Sequence, residues 1–237
     1  MSRWRRFAAA AGVAVALGAA PPAGTQSQLD SQYVLQRYAL AIETVPVPKN
    51  VVFAYAVSQV GPANLEQRHT IYRSGTDVRD ETLAIDGIAL KRKIVRFSRR
   101  EDRYAIGRLA PHVAAYQMLF LRTVRDGGHL DYDFDVTPLV RQPGASIDRM
   151  TIDGIKFLPR AVHFHTVGPQ AHGTGEVRYA PVGPYWLPIV ATVDAAVNGK
   201  PARERISWGD YRFPDAMPPS TFQAPRPLPL PALAPPG

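Results

Sequence analysis

Leu130–Val136 reads LDYDFDV. Tyr132, Phe134 and Val136 alternate without a break against Asp131, Asp133 and Asp135. A period of two places the aromatic and apolar side chains on one face of a β-strand and the three carboxylates on the other. The segment therefore predicts a sheet with one buried face and one wet face, and the chain on either side is read against that expectation.

Downstream the strand signals continue. Ser146 to Ile152 is followed by a turn at Asp153-Gly154, and Leu158 to Val167, Gly175 to Tyr179, Leu187 to Ala196 and Ala202 to Phe213 complete the series. Asn198-Gly199 between the last two is a two-residue hairpin turn, a pair suited to the left-handed conformations that such turns require. Upstream, Leu109 to Val124 (LAPHVAAYQMLFLRTV) changes period. Pro111 suits a helical first turn, Gly127-Gly128 suits its end, and the apolar residues wrap most of the circumference. This predicts a buried helix packed into the concave side of a curved sheet. Before it, Val51 to Val60 sets Val51, Phe53, Tyr55 and Val57 on one face. Glu66 to Arg73, Asp77 to Ile85, Leu90 to Arg99 and Asp102 to Arg108 follow in meander order, with turns at Gly61-Pro62, Ser74-Gly75 and Asp86-Gly87. Asp30 is placed to cap a first helix from Ser31 to about Glu43, which Pro46 and Pro48 end. The expected fold is mainly β (α+β): a curved antiparallel sheet or unclosed β-barrel of about 10–11 strands with two covering helices.

The two ends of the chain differ in composition from the middle. Arg3, Arg5 and Arg6 precede an uncharged apolar run from Phe7 to Ala20, and small residues follow. That order predicts a secretory signal peptide over residues 1–24. The run holds 14 residues, short of the roughly 20 that span a bilayer. Residues 25–217 are expected to form a single β-rich half-barrel domain. Residues 218–237 are nearly half proline and are expected to form an extended, mobile tail, either a spacer or a ligand for a partner. Localisation is accordingly read as periplasmic or secreted.

Composition removes several chemistries. There is no cysteine, so disulfides, thiolate metal sites, thiol nucleophiles and iron–sulfur clusters are excluded together. The formal charge is +8, but without Arg3, Arg5, Arg6 and the tail's Arg226 it is 24 basic against 20 acidic residues. A bias this mild favours anionic surfaces slightly and does not single out nucleic acid, which is not expected as a partner.

An exported chain with an amphipathic first helix, meander strands, a buried mid-chain helix and further antiparallel strands resembles the LolA/LppX-like superfamily of periplasmic carriers. The resemblance is one of element order over about residues 30–213, and no signature motif is matched residue by residue. It implies an unclosed β-barrel holding a lipid, a lipoprotein acyl chain or another amphiphile in an apolar cavity, with no enzymatic activity and no cofactor. On that reading Phe53, Tyr55, Val57, Tyr132, Phe134 and Val136 line the cavity, Met118 and Phe120 close it from the helix, and Trp186 stands at its mouth. The same residues also suit a filled core.

Other clusters offer competing functions. His163 and His165 share one face of a strand, and His172 lies across a short loop, so three imidazoles are available for zinc. Asp131, Asp133 and Asp135 supply oxygen ligands of the kind calcium takes, but a calcium loop requires glycine after the third acid, where Val136 stands. Lys91, Arg92, Lys93, Arg96, Arg99, Arg100 and Arg103 crowd one hairpin and suit either an anionic membrane surface, through Lys91–Arg103, or plain solvation. No G-x-S-x-G, S-x-x-K, P-loop or strand-linked Rossmann glycine pattern occurs. Three functions remain open at this point: an amphiphile carrier, a secreted metal-dependent or acid–base hydrolase built on His163, His165 and His172, and a protein-interaction module.

Overall fold

The computed structural model describes residues 23–99, 110–126, 129–140, 145–167 and 171–224. One helix, α1 (Ala23–Thr44), precedes eleven strands: β1 (Asn50–Val60), β2 (Leu65–Ser74), β3 (Asp77–Ile85), β4 (Ile88–Arg99), β5 (Tyr116–Asp126), β6 (His129–Pro138), β7 (Ala145–Asp153), β8 (Pro159–Val167), β9 (Ala171–Val182), β10 (Tyr185–Val197) and β11 (Lys200–Arg212). A short 3-10 turn follows at Pro219–Phe222.

All eleven strands form one antiparallel sheet in the order β4-β3-β2-β1-β11-β10-β9-β8-β7-β6-β5. The first and last strands pair in its middle, and the edges β4 and β5 are consecutive in the chain and do not pair with each other. The sheet is a meander whose two arms are joined by β1 and β11, and it is not closed. Tight turns set its register. Asp86-Gly87 has φ of 51° and 77°, and Asn198-Gly199 has φ of 50° and 74°. Both pairs take the left-handed values of a primed two-residue hairpin, whose twist matches that of the flanking strands.

Register defines a single inner face. Directly opposed residues in antiparallel strands point to the same side. Phe120, Phe134, Met150, Val162, Val177, Ala191, Ile206, Val57, Gln67, Ile85 and Ile88 are opposed in sequence from β5 to β4. One row thus crosses the whole sheet, and Gln67 is its only polar member. Helix α1 buries Val34, Tyr38 and Ile42 against Phe134, Met150 and Ile152 on this face. Two buried polar tips are satisfied at the packing. The Tyr38 hydroxyl donates to the Pro111 carbonyl at 2.7 Å and Trp186 Nε1 donates to the Pro159 carbonyl at 2.8 Å. Burial pushes the Tyr38 hydroxyl far above the usual tyrosine range, so it stays a neutral donor.

Several expectations are corrected. Tyr116–Asp126 is a strand, so most of the helix expected over Leu109–Val124 does not exist, and Leu109 itself lies outside the described residues. Only one α-helix occurs among the described residues, not two. The run is apolar on both faces because β5 is an edge strand: Met118 and Phe120 point to the inner face, while Leu119 and Leu121 are exposed. Apolarity on every side imitates a buried helix when only the pattern is seen. Helix α1 begins at Ala23, so Asp30 lies inside it and does not cap it. The start of the proline-rich segment is not simply extended. It makes the 3-10 turn, and Arg79 Nη1 donates to the Thr221 carbonyl at 3.3 Å, tying the turn to β3. The leader read over 1–24 (all but its last two residues), the strand expected over Asp102–Arg108 and most of the tail lie outside the described residues.

Candidate functional site: a half-covered apolar face

The inner face divides into a covered arm and an open arm. On β6, β7, β8 and β10 the row is sealed, with Phe134 and Met150 fully buried and Val162 and Ala191 nearly so, while Val177 on β9 and Phe120 on edge strand β5 are partly buried. On β11, β1, β2 and β3, Ile206, Val57, Gln67 and Ile85 are each only partly buried, and Ile88 at the start of β4 is exposed. Helix α1 causes the difference, because its buried side chains cluster with the β5–β10 arm.

The open arm carries its own aromatic cluster. Phe53, Val51 and Ile71 are buried, with Tyr55, Val78, Trp208, Tyr211 and Phe213 packed around them. Phe53 lies 5.4 Å from Tyr211 and Tyr55 lies 5.9 Å from Trp208, ring centre to ring centre, within the range of attractive aromatic pairs. Beside this cluster a crevice of only about 10 Å³, room for one water molecule, lies between Val47, Pro48, Val51, Phe53, Arg73, Leu187, Pro188 and Tyr211. Arg73 is the one charged side chain on its wall, and it donates from Nε and Nη2 to the Gly75 carbonyl at 3.1 and 3.2 Å. Beside the cluster, buried His69 meets Asp80 Oδ1 at 2.7 Å through Nδ1 and Tyr55 edge-on.

The residues expected to line a cavity fall on this one inner face but in two environments. Phe134, Val136 and Trp186 are core beneath α1, with Met118, Phe120 and Tyr132 packed against that core. Met118 and Phe120 do so from edge strand β5, not from a helix. Phe53, Tyr55 and Val57 belong to the open arm. Ile206, Trp208 and Tyr211 were missed, although the i, i+2 spacing of Ile206 and Trp208 within the expected last strand carried the signal.

The outer face is an ion-pair lattice. Asp133 accepts from Arg122 Nε at 3.1 Å, Arg149 Nη2 at 2.5 Å and Thr151 Oγ1 at 2.6 Å. Burial alone would raise the Asp133 pKa, but these three donors outweigh it and hold the carboxyl below its ordinary range. Arg160 spans Asp131 at 3.1 Å and Asp153 at 2.9 Å. Asp131 and Asp133 are therefore buried beneath arginines, and only Asp135 of the three is solvated as the alternation suggested.

His163 and His165 take separate carboxylate partners. Phe164 faces inward, as its opposition to Gly175 and Ile147 requires, and His163 and His165 face outward. His163 Nε2 meets Glu176 Oε2 at 2.9 Å, and His165 Nδ1 meets Asp148 Oδ2 at 3.5 Å. His172 opposes Val167 further along the ladder. Among the described residues no group of three or more histidine, aspartate or glutamate side chains is arranged to hold a metal ion. The basic run over Lys91–Arg103 is also divided. Lys93 bonds Glu81 at 2.9 Å and Arg99 bonds Asp77 at 3.1 Å, and Arg100 and Arg103 lie outside the described residues.

Neither protein-family models nor curated protein sequences match the chain. Solved structures are similar to it in architecture. A LolA superfamily protein from Nitrosomonas europaea matches over 81% of this chain and 97% of its own, at 15% identity and a TM-score of 0.40. A DUF1329 family protein from Desulfovibrio piger matches over 81% of this chain and 96% of its own, at 11% identity and a TM-score of 0.48. The unclosed antiparallel sheet with a helix on its inner face is consistent with a LolA-like fold.

Proposed function

We propose that this chain is an exported carrier or sensor, periplasmic or secreted, that holds a lipid, a lipoprotein acyl chain or another amphiphile against the open arm of its inner face without covalent chemistry. The observation that carries the reading is the change along one apolar row: sealed under α1 at Phe134 and Met150, and partly exposed at Ile206, Val57 and Ile85. Uncovered apolar surface on a fold that has a helix to cover it is a standing cost of about 25 cal/mol per Å², which an acyl chain laid on it removes. Phe53, Tyr55, Val57, Trp208 and Tyr211 supply the wall. Phe134, Val136, Met118, Phe120, Tyr132 and Trp186 support the wall from the covered arm.

Native mass spectrometry with organic extraction, on protein purified from its own envelope, tests this. A stoichiometric lipid or acyl species is expected. Val57→Asp, which sets a charge on the open arm where the side chain is already part-solvated, should leave the fold intact and empty the protein of that species. Bare protein, or a Val57→Asp variant loaded like the wild type, would overturn the proposal.

A further inference from the structure

Antiparallel order sends the β1–β2, β3–β4, β6–β7 and β10–β11 turns to one end of the sheet, together with the residues that lead into β5. The three most exposed large apolar side chains among the described residues all stand at this end: Val140 at 77%, Ile88 at 71% and Leu139 at 63%. Val60 joins them from the β1–β2 turn. Helix α1 touches this end beside β5, where the Tyr38 hydroxyl donates to the Pro111 carbonyl. Its Tyr33 packs against Phe157 in the β7–β8 turn, and its core includes Trp186 near the β9–β10 turn, both at the opposite end.

Charge accompanies the apolar tips. Lys91, Arg92, Arg68 and Lys200 are exposed near these turns and have no ion pair among the described residues, against exposed Glu66 and Asp86. Asp86 spends Oδ1 on the Glu66 backbone N–H at 3.0 Å. Arg203 and Asp194 pair at 2.6 Å and His165 and Asp148 at 3.5 Å, and exposed Asp135 stands three residues before the end of β6.

We propose that this end of the sheet docks on the surface of an anionic lipid bilayer, the tips of Ile88, Leu139 and Val140 entering the headgroup layer and Lys91, Arg92, Arg68 and Lys200 meeting lipid phosphates. Aliphatic side chains raised on turns, with Lys91 and Arg92 following Ile88 on β4 and Arg68 on β2, suit an interface of apolar depth and negative surface. A protein partner would instead call for one continuous apolar patch with a polar rim. The docking stands on these turns alone and does not require that the inner face carry a ligand.

Vesicle co-sedimentation of the full chain tests the proposal, with mixed phosphatidylcholine and phosphatidylglycerol vesicles beside phosphatidylcholine alone. The wild type should bind the mixed vesicles and lose binding in high salt. Ile88→Asp and Val140→Asp, at sites too exposed to unsettle the fold, should each weaken binding about ten-fold or more, as expected when a charge replaces an inserted aliphatic side chain. Lys91→Ala should weaken it about five-fold, the value of one cation near an anionic surface. Ile155→Asp, exposed at the opposite end, should bind like the wild type. Equal binding by Ile88→Asp, Val140→Asp and Ile155→Asp would place any membrane affinity elsewhere, the apolar N-terminal run included, and overturn the proposal. So would equal binding to phosphatidylcholine alone, or no binding at all.

Discussion

Replacing Asp133 by alanine tests whether the outer-face lattice holds the sheet together. The residue is 3% exposed and accepts three hydrogen bonds, two of them from guanidinium groups. A hydrogen bond to a charged group contributes about 1.5–3 kcal/mol in a buried setting. The arginines, however, are 65% and 37% exposed, so both rehydrate once the carboxylate is gone and return part of that sum. The expected net loss is about 2–3 kcal/mol. Asp135→Ala, one strand period away and solvated, should cost under about 0.5 kcal/mol. Urea unfolding at neutral pH measures both. The pH dependence supplies a second check. The folded Asp133 carboxyl sits below its ordinary range, so its contribution is complete above the unfolded-state value and is lost as pH falls through the lower, folded value. The gap between wild type and Asp133→Ala should therefore close in acid. A loss below about 1 kcal/mol at neutral pH, or a gap that persists in acid, refutes the reasoning.

Other substitutions probe separate features of the fold. Gly154→Ala would set a Cβ 1.8 Å from the Leu130 carbonyl oxygen, so β6 must move, and a loss of about 3 kcal/mol or more is expected in chemical denaturation. Gly199→Ala meets nothing within 4 Å but keeps φ at 74°, so its cost should be conformational only, about 1 kcal/mol; a loss as large as that of Gly154→Ala would contradict the distinction. Tyr38→Phe removes the hydroxyl that bonds the Pro111 carbonyl. It should destabilise by about 1–2 kcal/mol, visible in the thermal midpoint, with Pro111 left as an unsatisfied buried acceptor.

Much of the sheet was legible in the residues, and the failures share a cause. Alternation at Leu130–Val136 and the Asn-Gly and Asp-Gly turns are local facts, and each appears in the structure where the sequence placed it. The stretch that forms β5 was misread because Met118, Leu119, Phe120 and Leu121 are all apolar. An edge strand packed on one side and bare on the other presents the same composition as a helix buried all round. The carboxylates of β6 were correctly assigned to the outer face, but their burial was not legible. It comes from Arg122, Arg149 and Arg160, which neighbouring strands bring to them. His163 and His165 share a face as their spacing required, and each meets a different carboxylate from a neighbouring strand, Glu176 and Asp148.

By itself the sequence determined which residues pair with which face. A strand's period of two needs no partner to be read, and a primed turn needs only its own two residues. Only the tertiary structure decided that β1 and β11 meet in the middle of the sheet, that α1 lies on one arm of the inner face, and that the other arm is left partly bare. Those are contacts between residues far apart in the chain, from 73 positions for Tyr38 and Pro111 to 160 for Val52 and Arg212. Their register is set by which apolar faces are buried together, and that choice is a property of the assembled sheet, not of any one strand.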